Sequence, residues 1–92
     1  MRFEWDDLKA FGNLEKHGVS FGEATEVFYD PNALEGYDFV HSTSEDRFFI
    51  IGLSSRRLLN VVYAEVQGDV VRIVSARRAA KREQELYERR KS

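Results

Sequence analysis

Arg47, Arg72 and Arg77 each sit in or beside a stretch that reads as rigid structure. Guanidinium forks stay charged at physiological pH and match phosphate oxygens two at a time, so the chemistry they could do is phosphate chemistry. Val70, Val71, Ile73 and Val74 bracket Arg72 in a β-branched run, the pattern of a strand. Ser75 follows with the side chain of an N-cap, and no Gly or Pro occurs from Ala76 onward. A helix is therefore expected directly after Val74, with Arg77, Arg78, Lys81 and Arg82 in its first turns. Arg47 opens the apolar run Phe48–Ile51, and Arg47 and Arg72 are expected close together on one sheet face. They would form a phosphate clamp there, or else pair with Glu45, Asp46 or Glu65.

No glycine-rich phosphate loop, cysteine, paired-histidine spacing or Gly-x-Ser-x-Gly elbow is present. Arg, Lys, His, Glu and Tyr remain, and this set suffices to cut RNA without a metal or other cofactor. The substrate's own 2′-OH attacks the adjacent phosphate, while the protein orients it, moves protons and offsets charge. Glu45, His17 and His41 are the candidates for proton exchange, and Lys16 for a further phosphate contact. His17 also fits a simpler role, as a cation favoured at a helix C-terminus. Tyr87 could stack on a base or pack in the core. Glu83 shares a helical stripe with Ala76, Ala79, Ala80 and Tyr87, so its carboxylate needs a partner. We expect it, with Ser75, to support the site by holding an arginine in place.

The elements that must position these groups fit one domain over residues 1–92. Apolar residues make up 42% and aromatics 13%, a globular composition. The lack of cysteine fits a reducing cytoplasm, and no apolar run is long enough for a membrane span. A net charge of −2 argues against a polyanionic partner until the chain is divided. Residues 1–46 carry three Lys/Arg against eleven Asp/Glu, a net of −8, whereas residues 47–92 carry eleven against five, a net of +6. One basic face on an acidic protein is compatible with binding RNA.

Arg2–Trp5 reads as a short edge strand. Asp6 or Asp7 opens a first helix, with Leu8, Phe11 and Leu14 as its expected buried stripe. Lys16 and His17 fall in its last turn and Gly18 ends it. Ser20 and Glu23 form a capping box, with Val19 and Ala24 as its hydrophobic staple, before a short second helix. Phe21, Ala24, Val27 and Phe28 face inward there, and Pro31 stops it. Residues 33–39 are a loop or short strand, and residues 41–46 a polar loop. Three antiparallel strands follow, at Arg47–Leu53, Leu58–Val66 and Val70–Val74, with Gly68-Asp69 as a hairpin turn. The class is α+β: a short N-terminal strand, two N-terminal helices, a three-stranded meander and a C-terminal helix.

Phe3-Glu-Trp5-Asp, Asn13-x-x-Lys-His-Gly-Val-Ser-Phe21, Glu45-Asp-Arg47, Ile51-Gly52, Val62-Tyr63 and Arg72-Ile-Val-Ser-Ala-Arg77-x-Ala79-x-x-x-Glu83-x-x-x-Tyr87-Glu88 occur in that order. Together they resemble the BrnT family of type II toxin–antitoxin ribonuclease toxins. The resemblance implies a RelE-like fold, metal-independent RNA cleavage that inhibits translation, and a bacterial cytoplasmic setting. It also implies a BrnA-type antitoxin partner, through which alone the chain would reach promoter DNA. By this resemblance the chain is a monomer alone and a heterotetramer with its antitoxin, with no membrane partner. Lys16-His17, Glu45, Arg47, Arg72, Ser75, Arg77, Glu83 and Tyr87 occupy positions of the family motif. The alternative is a non-catalytic protein-interaction module.

Overall fold

The computed structural model describes residues 1–91. Strand β1 (Arg2–Glu4) leads into helix α1 (Asp7–His17), helix α2 (Phe21–Thr25) and a 3₁₀ turn at Glu26–Tyr29. Strands β2 (Leu34–Tyr37), β3 (Phe48–Leu53), β4 (Leu58–Val66) and β5 (Val70–Arg78) follow, and helix α3 (Lys81–Lys91) comes last. The five strands form one sheet in the order β1-β5-β4-β3-β2, with β1 parallel to β5 and every other pairing antiparallel. The expected α+β class and element order are borne out. β2 resolves the loop-or-strand ambiguity at residues 33–39.

Local signals set the helix ends. The Asp6 carboxylate accepts from the Lys9 N–H at 2.9 Å, and Gly18 closes α1 at φ 68°, a left-handed conformation that only glycine adopts freely. The Ser20 hydroxyl accepts from the Glu23 N–H at 3.0 Å, and Val19 and Ala24 are fully buried beside it. Gly68 turns the β4–β5 hairpin at φ 84°.

The Glu23 side chain does not complete the expected capping box. Its carboxylate accepts two bonds from the Arg57 guanidinium, at 2.9 and 3.0 Å, and one from the Ser54 hydroxyl at 2.7 Å. Arg57 also donates to the Gly18 carbonyl at 2.8 Å, so one arginine ties the β3–β4 turn to both helices. Arg57 holds the Glu23 carboxyl below its ordinary value of 4.5, against the upward push of burial. Glu23→Ala should cost about 2 kcal/mol in urea unfolding, less than a fully buried pair because the Arg57 side chain still touches solvent. A carboxyl lowered in the folded state stabilises above its unfolded pKa and loses that contribution as pH falls through the folded value. Stability should therefore fall more steeply below pH 4.5 in the native chain than in Glu23→Ala. Parallel slopes would remove Glu23 from the account.

The main core lies between the sheet and the α1–α2 layer, built from Val19, Phe21, Ala24, Val27, Ile50, Leu59, Val61, Tyr63, Ile73 and Ala76. The expected stripe of α1 is not part of it. Leu8, Phe11 and Leu14 are 82%, 65% and 49% exposed. Ala10 and Asn13 face the sheet instead, because the Asn13 side chain makes the contact that seats the helix. Its Nδ2 donates to the Val19 and Ala76 carbonyls at 2.9 and 2.8 Å, and its Oδ1 accepts the Ala76 N–H at 3.1 Å. Short β1 pairs with β5 only as far as Arg72, so one amide side chain continues the ladder that β1 leaves off.

β5 carries a further departure. It extends to Arg78, so Ser75 is a strand residue and not an N-cap, and Arg77 lies on the sheet and not in a helix. Val62 pairs with Ser75 and Tyr63 with Ile73, which leaves Val74 as an extra residue in a β-bulge. Helix α3 begins only at Lys81, where the Glu83 carboxylate accepts from the Ala80 N–H at 2.8 Å, the reverse bond of a capping box. The helix then crosses the second face of the sheet. Tyr87 is buried there with Ile51 and Ala79, against Leu34, Phe49 and Leu58.

Candidate functional site

The bulge at Val74 decides which side chains share a face. In a regular strand Arg72 and Arg77, five residues apart, would point to opposite sides. With one extra residue between them both stand on the face away from α1 and α2, while Ile73 and Ala76 remain in the core on the other. On that outer face Asn60 lies opposite Arg77 and Ile51, and Val62 opposite Ser75 and Phe49. These residues floor a cleft of about 720 Å³. Lys16 and His17 from the end of α1, Asp38 and His41 from the β2–β3 loop, and Arg82 and Glu83 from α3 form its walls.

Arg77 is held by a fork-to-fork pair. Its Nη1 and Nη2 donate to the two Glu83 oxygens at 2.9 and 2.8 Å, and Nη1 also donates to the Arg78 carbonyl at 3.1 Å. The pair raises Arg77 further above its ordinary value. Burial pushes the Glu83 carboxyl up, but the bonds from Arg77, Ala80 and Asn60 outweigh it and hold the group ionised. The Asn60 Nδ2 donates to Glu83 at 2.9 Å, while its enclosed Oδ1 lacks a hydrogen-bond partner among the described residues. Among the described residues, two of the five N–H donors of Arg77 stay uncommitted. Lys16 and Arg82 on the cleft wall make no ion pair among the described residues.

Arg47 and Arg72 meet through Glu45. Arg72 Nη2 donates to Glu45 Oε1 at 2.5 Å, Arg47 reaches Oε2 at 3.4 Å, and Arg72 also approaches Glu4 at 4.0 Å. The hydrogen bond from Arg72 is the main cause that keeps Glu45 below the usual carboxylate range. A carboxylate stabilised in its charged form is a weak proton acceptor, so Glu45 is better placed as a brace for two arginines. Along β5 Arg72 is roughly 15 Å from Arg77 at the rise of a strand. The three arginines thus face the same way without converging on one point.

Tyr87 cannot stack on a base. Its ring is 1% exposed, and its hydroxyl donates to Asp30 Oδ2 at 2.6 Å. Burial, then the bond to Asp30, pushes its pKa up to about 12. Asp30 also accepts from the Leu53 and Asn32 N–H groups at 2.7 and 2.9 Å, so it is an anchor for α3. Arg90, exposed near the end of α3, donates to the Ala33 carbonyl at 3.2 Å.

Of the expected site residues, Lys16, His17, His41, Ser75, Arg77 and Glu83 line one cleft. Glu45, Arg47 and Arg72 form an adjoining cluster on the same sheet face, and Tyr87 is buried on the side of α3 that packs against the sheet. Asp38, Asn60 and Arg82 border the cleft without having been picked out as site residues. Arg82 was visible as one of the basic residues near the start of α3. Asn60 carries no local signal, since its neighbours come from distant segments. Asp38 pairs within its own loop, with His41 three residues on, but the residue types there do not mark the loop as facing the cleft. Among the described residues no group of three or more His, Cys, Asp or Glu could hold a metal ion.

Residues 5–83 match the family described as ribonuclease toxin, BrnT, of type II toxin–antitoxin system. The chain belongs to the BrnT family. With this it falls in the RelE-like superfamily. The fold of this BrnT-family chain is also that of the crystal structure of the Brucella abortus ribonuclease toxin, BrnT. The two superpose with a TM-score of 0.68 at 24% identity, over 88% of this chain and 99% of that one. The comparison with curated proteins gives no match. No helix among the described residues is long and apolar enough to cross a membrane.

Proposed function

We propose that this chain is an RNA endonuclease that needs no metal ion, inhibits translation in a bacterial cytoplasm and is neutralised by a BrnA-type antitoxin. The observation that carries it is the grouping of Arg77, Lys16, His17 and His41 around one cleft, on the sheet face that also presents Arg47 and Arg72. A single RNA strand laid along that face meets Arg72 and Arg47 at one end and Arg77 at the other. In the reaction the 2′-oxygen bonds to phosphorus and gives up its proton to a base in the cleft. The bond from phosphorus to the 5′-oxygen breaks, and that oxygen takes a proton from water. Arg77 and Lys16 offset the charge that gathers on the phosphoryl oxygens. The toxin alone would be a monomer, and two copies would join two antitoxins in a heterotetramer that acts on promoter DNA through the antitoxin.

The test is incubation of the purified chain with single-stranded RNA in EDTA. Fragments ending in a 2′,3′-cyclic phosphate are expected. Intact RNA, or cleavage that EDTA abolishes, defeats the reading. A second reading, a non-catalytic interaction module, is favoured by the exposed Leu8, Phe11 and Leu14 side chains on α1, since apolar patches of this kind occur where proteins bind one another. Harmless expression at high level together with intact RNA would select it.

A further inference from the structure

The β2–β3 loop holds an acid–histidine pair that faces the cleft. Asp38 Oδ2 lies 2.7 Å from His41 Nδ1, and Asp38 Oδ1 accepts the His41 backbone N–H at 3.2 Å. Asp38 is itself fixed: its N–H donates to the Arg47 carbonyl at 2.9 Å, and its carbonyl accepts from the Ser42 hydroxyl at 2.6 Å. The same hydroxyl accepts the Arg47 N–H at 2.9 Å, so the loop is locked onto the start of β3. The Asp38 side chain is 13% exposed and that of His41 58%, so the carboxylate is sheltered and the imidazole reaches out. Both line the cleft with Lys16, His17, Ser75 and Arg77.

An ionised carboxylate only accepts hydrogen bonds. The hydrogen between Asp38 and His41 therefore belongs to Nδ1, and in the neutral ring Nε2 is left with a bare lone pair. We propose that Asp38 is a positioning residue that fixes His41 as the Nδ1–H tautomer, so that Nε2 is the base that accepts the proton of the attacking 2′-OH. The role in catalysis rests on the RNA-cleavage reading; the tautomer does not. Balance is kept as above: the proton moves from O2′ to Nε2, O2′ bonds to phosphorus, and the 5′-oxygen leaves with a proton from water. His17 is the other imidazole of the cleft, and no carboxylate within hydrogen-bonding distance orients it among the described residues.

Nitrogen NMR of the labelled protein, at a pH where the imidazoles are neutral, reads the tautomer directly. His41 should show a protonated Nδ1 and an unprotonated Nε2, and Asp38→Asn should shift the population toward Nε2–H, because an amide can turn its NH₂ toward Nδ1. Asp38→Asn should also lower kcat for RNA by roughly 10²-fold with little change in KM. His41→Gln should lower kcat by a similar factor. An Nε2–H tautomer in the native chain, or a tautomer unmoved by Asp38→Asn, overturns the proposal whether or not RNA is cut. Unchanged kcat in either variant overturns it too, provided the native chain cleaves. Failure of the native chain to cleave defeats the proposed function and this catalytic role with it, while the tautomer still decides what Asp38 does to His41.

Discussion

Replacing Arg72 and Arg77 together by alanine lowers kcat/KM for RNA by about 10³-fold or more, with each single change acting differently. Arg77 borders the cleft that contains both histidines, and two of its donors have no partner among the described residues and can meet a phosphoryl oxygen. Removal of one such donor group from a catalytic site typically costs 10²–10³-fold. Arg77→Ala should therefore act mainly on kcat. Arg72 stands roughly 15 Å away along β5 and does not line the cleft, so it would hold a neighbouring part of the strand. Arg72→Ala should raise KM and flatten the salt dependence of binding.

Arg77→Lys is the sharper variant. It keeps the charge but loses the fork that pairs with both Glu83 oxygens while still presenting donors outward. Activity close to native in Arg77→Lys would mean that charge alone matters there. The double alanine variant must be shown folded, since Arg77→Ala leaves Glu83 without its main partner. Equal cleavage by the folded double variant and the native chain would remove both arginines from the site.

Asn13→Ala is expected to lower stability by about 3 kcal/mol in urea unfolding. The side chain is 8% exposed and makes three hydrogen bonds to backbone groups, two of them on Ala76, 63 positions further along the chain. Loss of the amide strands the Ala76 N–H where β1 is too short to reach it, and deprives the Ala76 and Val19 carbonyls of a donor. An orphaned buried group costs about 1–3 kcal/mol, and neither Gln nor Asp restores the geometry. Asn13→Asp can still accept from Ala76 but can no longer donate, and it places a charge in the core. Amide hydrogen exchange at Ala76 should quicken in Asn13→Ala more than at Val61, in the centre of the sheet. A loss below about 1 kcal/mol would show that β5 is satisfied some other way.

Much of this arrangement was legible along the chain. β4 runs over Leu58–Val66 as its apolar run predicted, and the Gly68 turn, the Asp6 and Ser20 caps and the Gly18 stop all lie where residue type placed them. These features depend on bonds within a few residues, so local composition determines them. The ordered motif that led to the BrnT family is also a property of the sequence, and it spans both halves of the divided charge. Three things escaped it. The apolar stripe of α1 was assigned to the core, yet a polar residue, Asn13, seats the helix. Ser75 looked like an N-cap because nothing after it breaks a helix, yet pairing with Val62 carries the strand on to Arg78. Asp38 gave no sign of facing the cleft.

Residue types by themselves determined which side chains could do chemistry: guanidinium forks, two imidazoles and the carboxylates to hold them. Tertiary structure alone decided which of these meet. Side-chain direction alternates residue by residue along a strand, so the single unpaired residue at Val74 turns Arg77 onto the face of Arg72. The bulge appears only in the pairing of β5 with β4, where Val62 meets Ser75 and Tyr63 meets Ile73, and the apolar residue type of Val74 is equally that of a regularly paired strand residue.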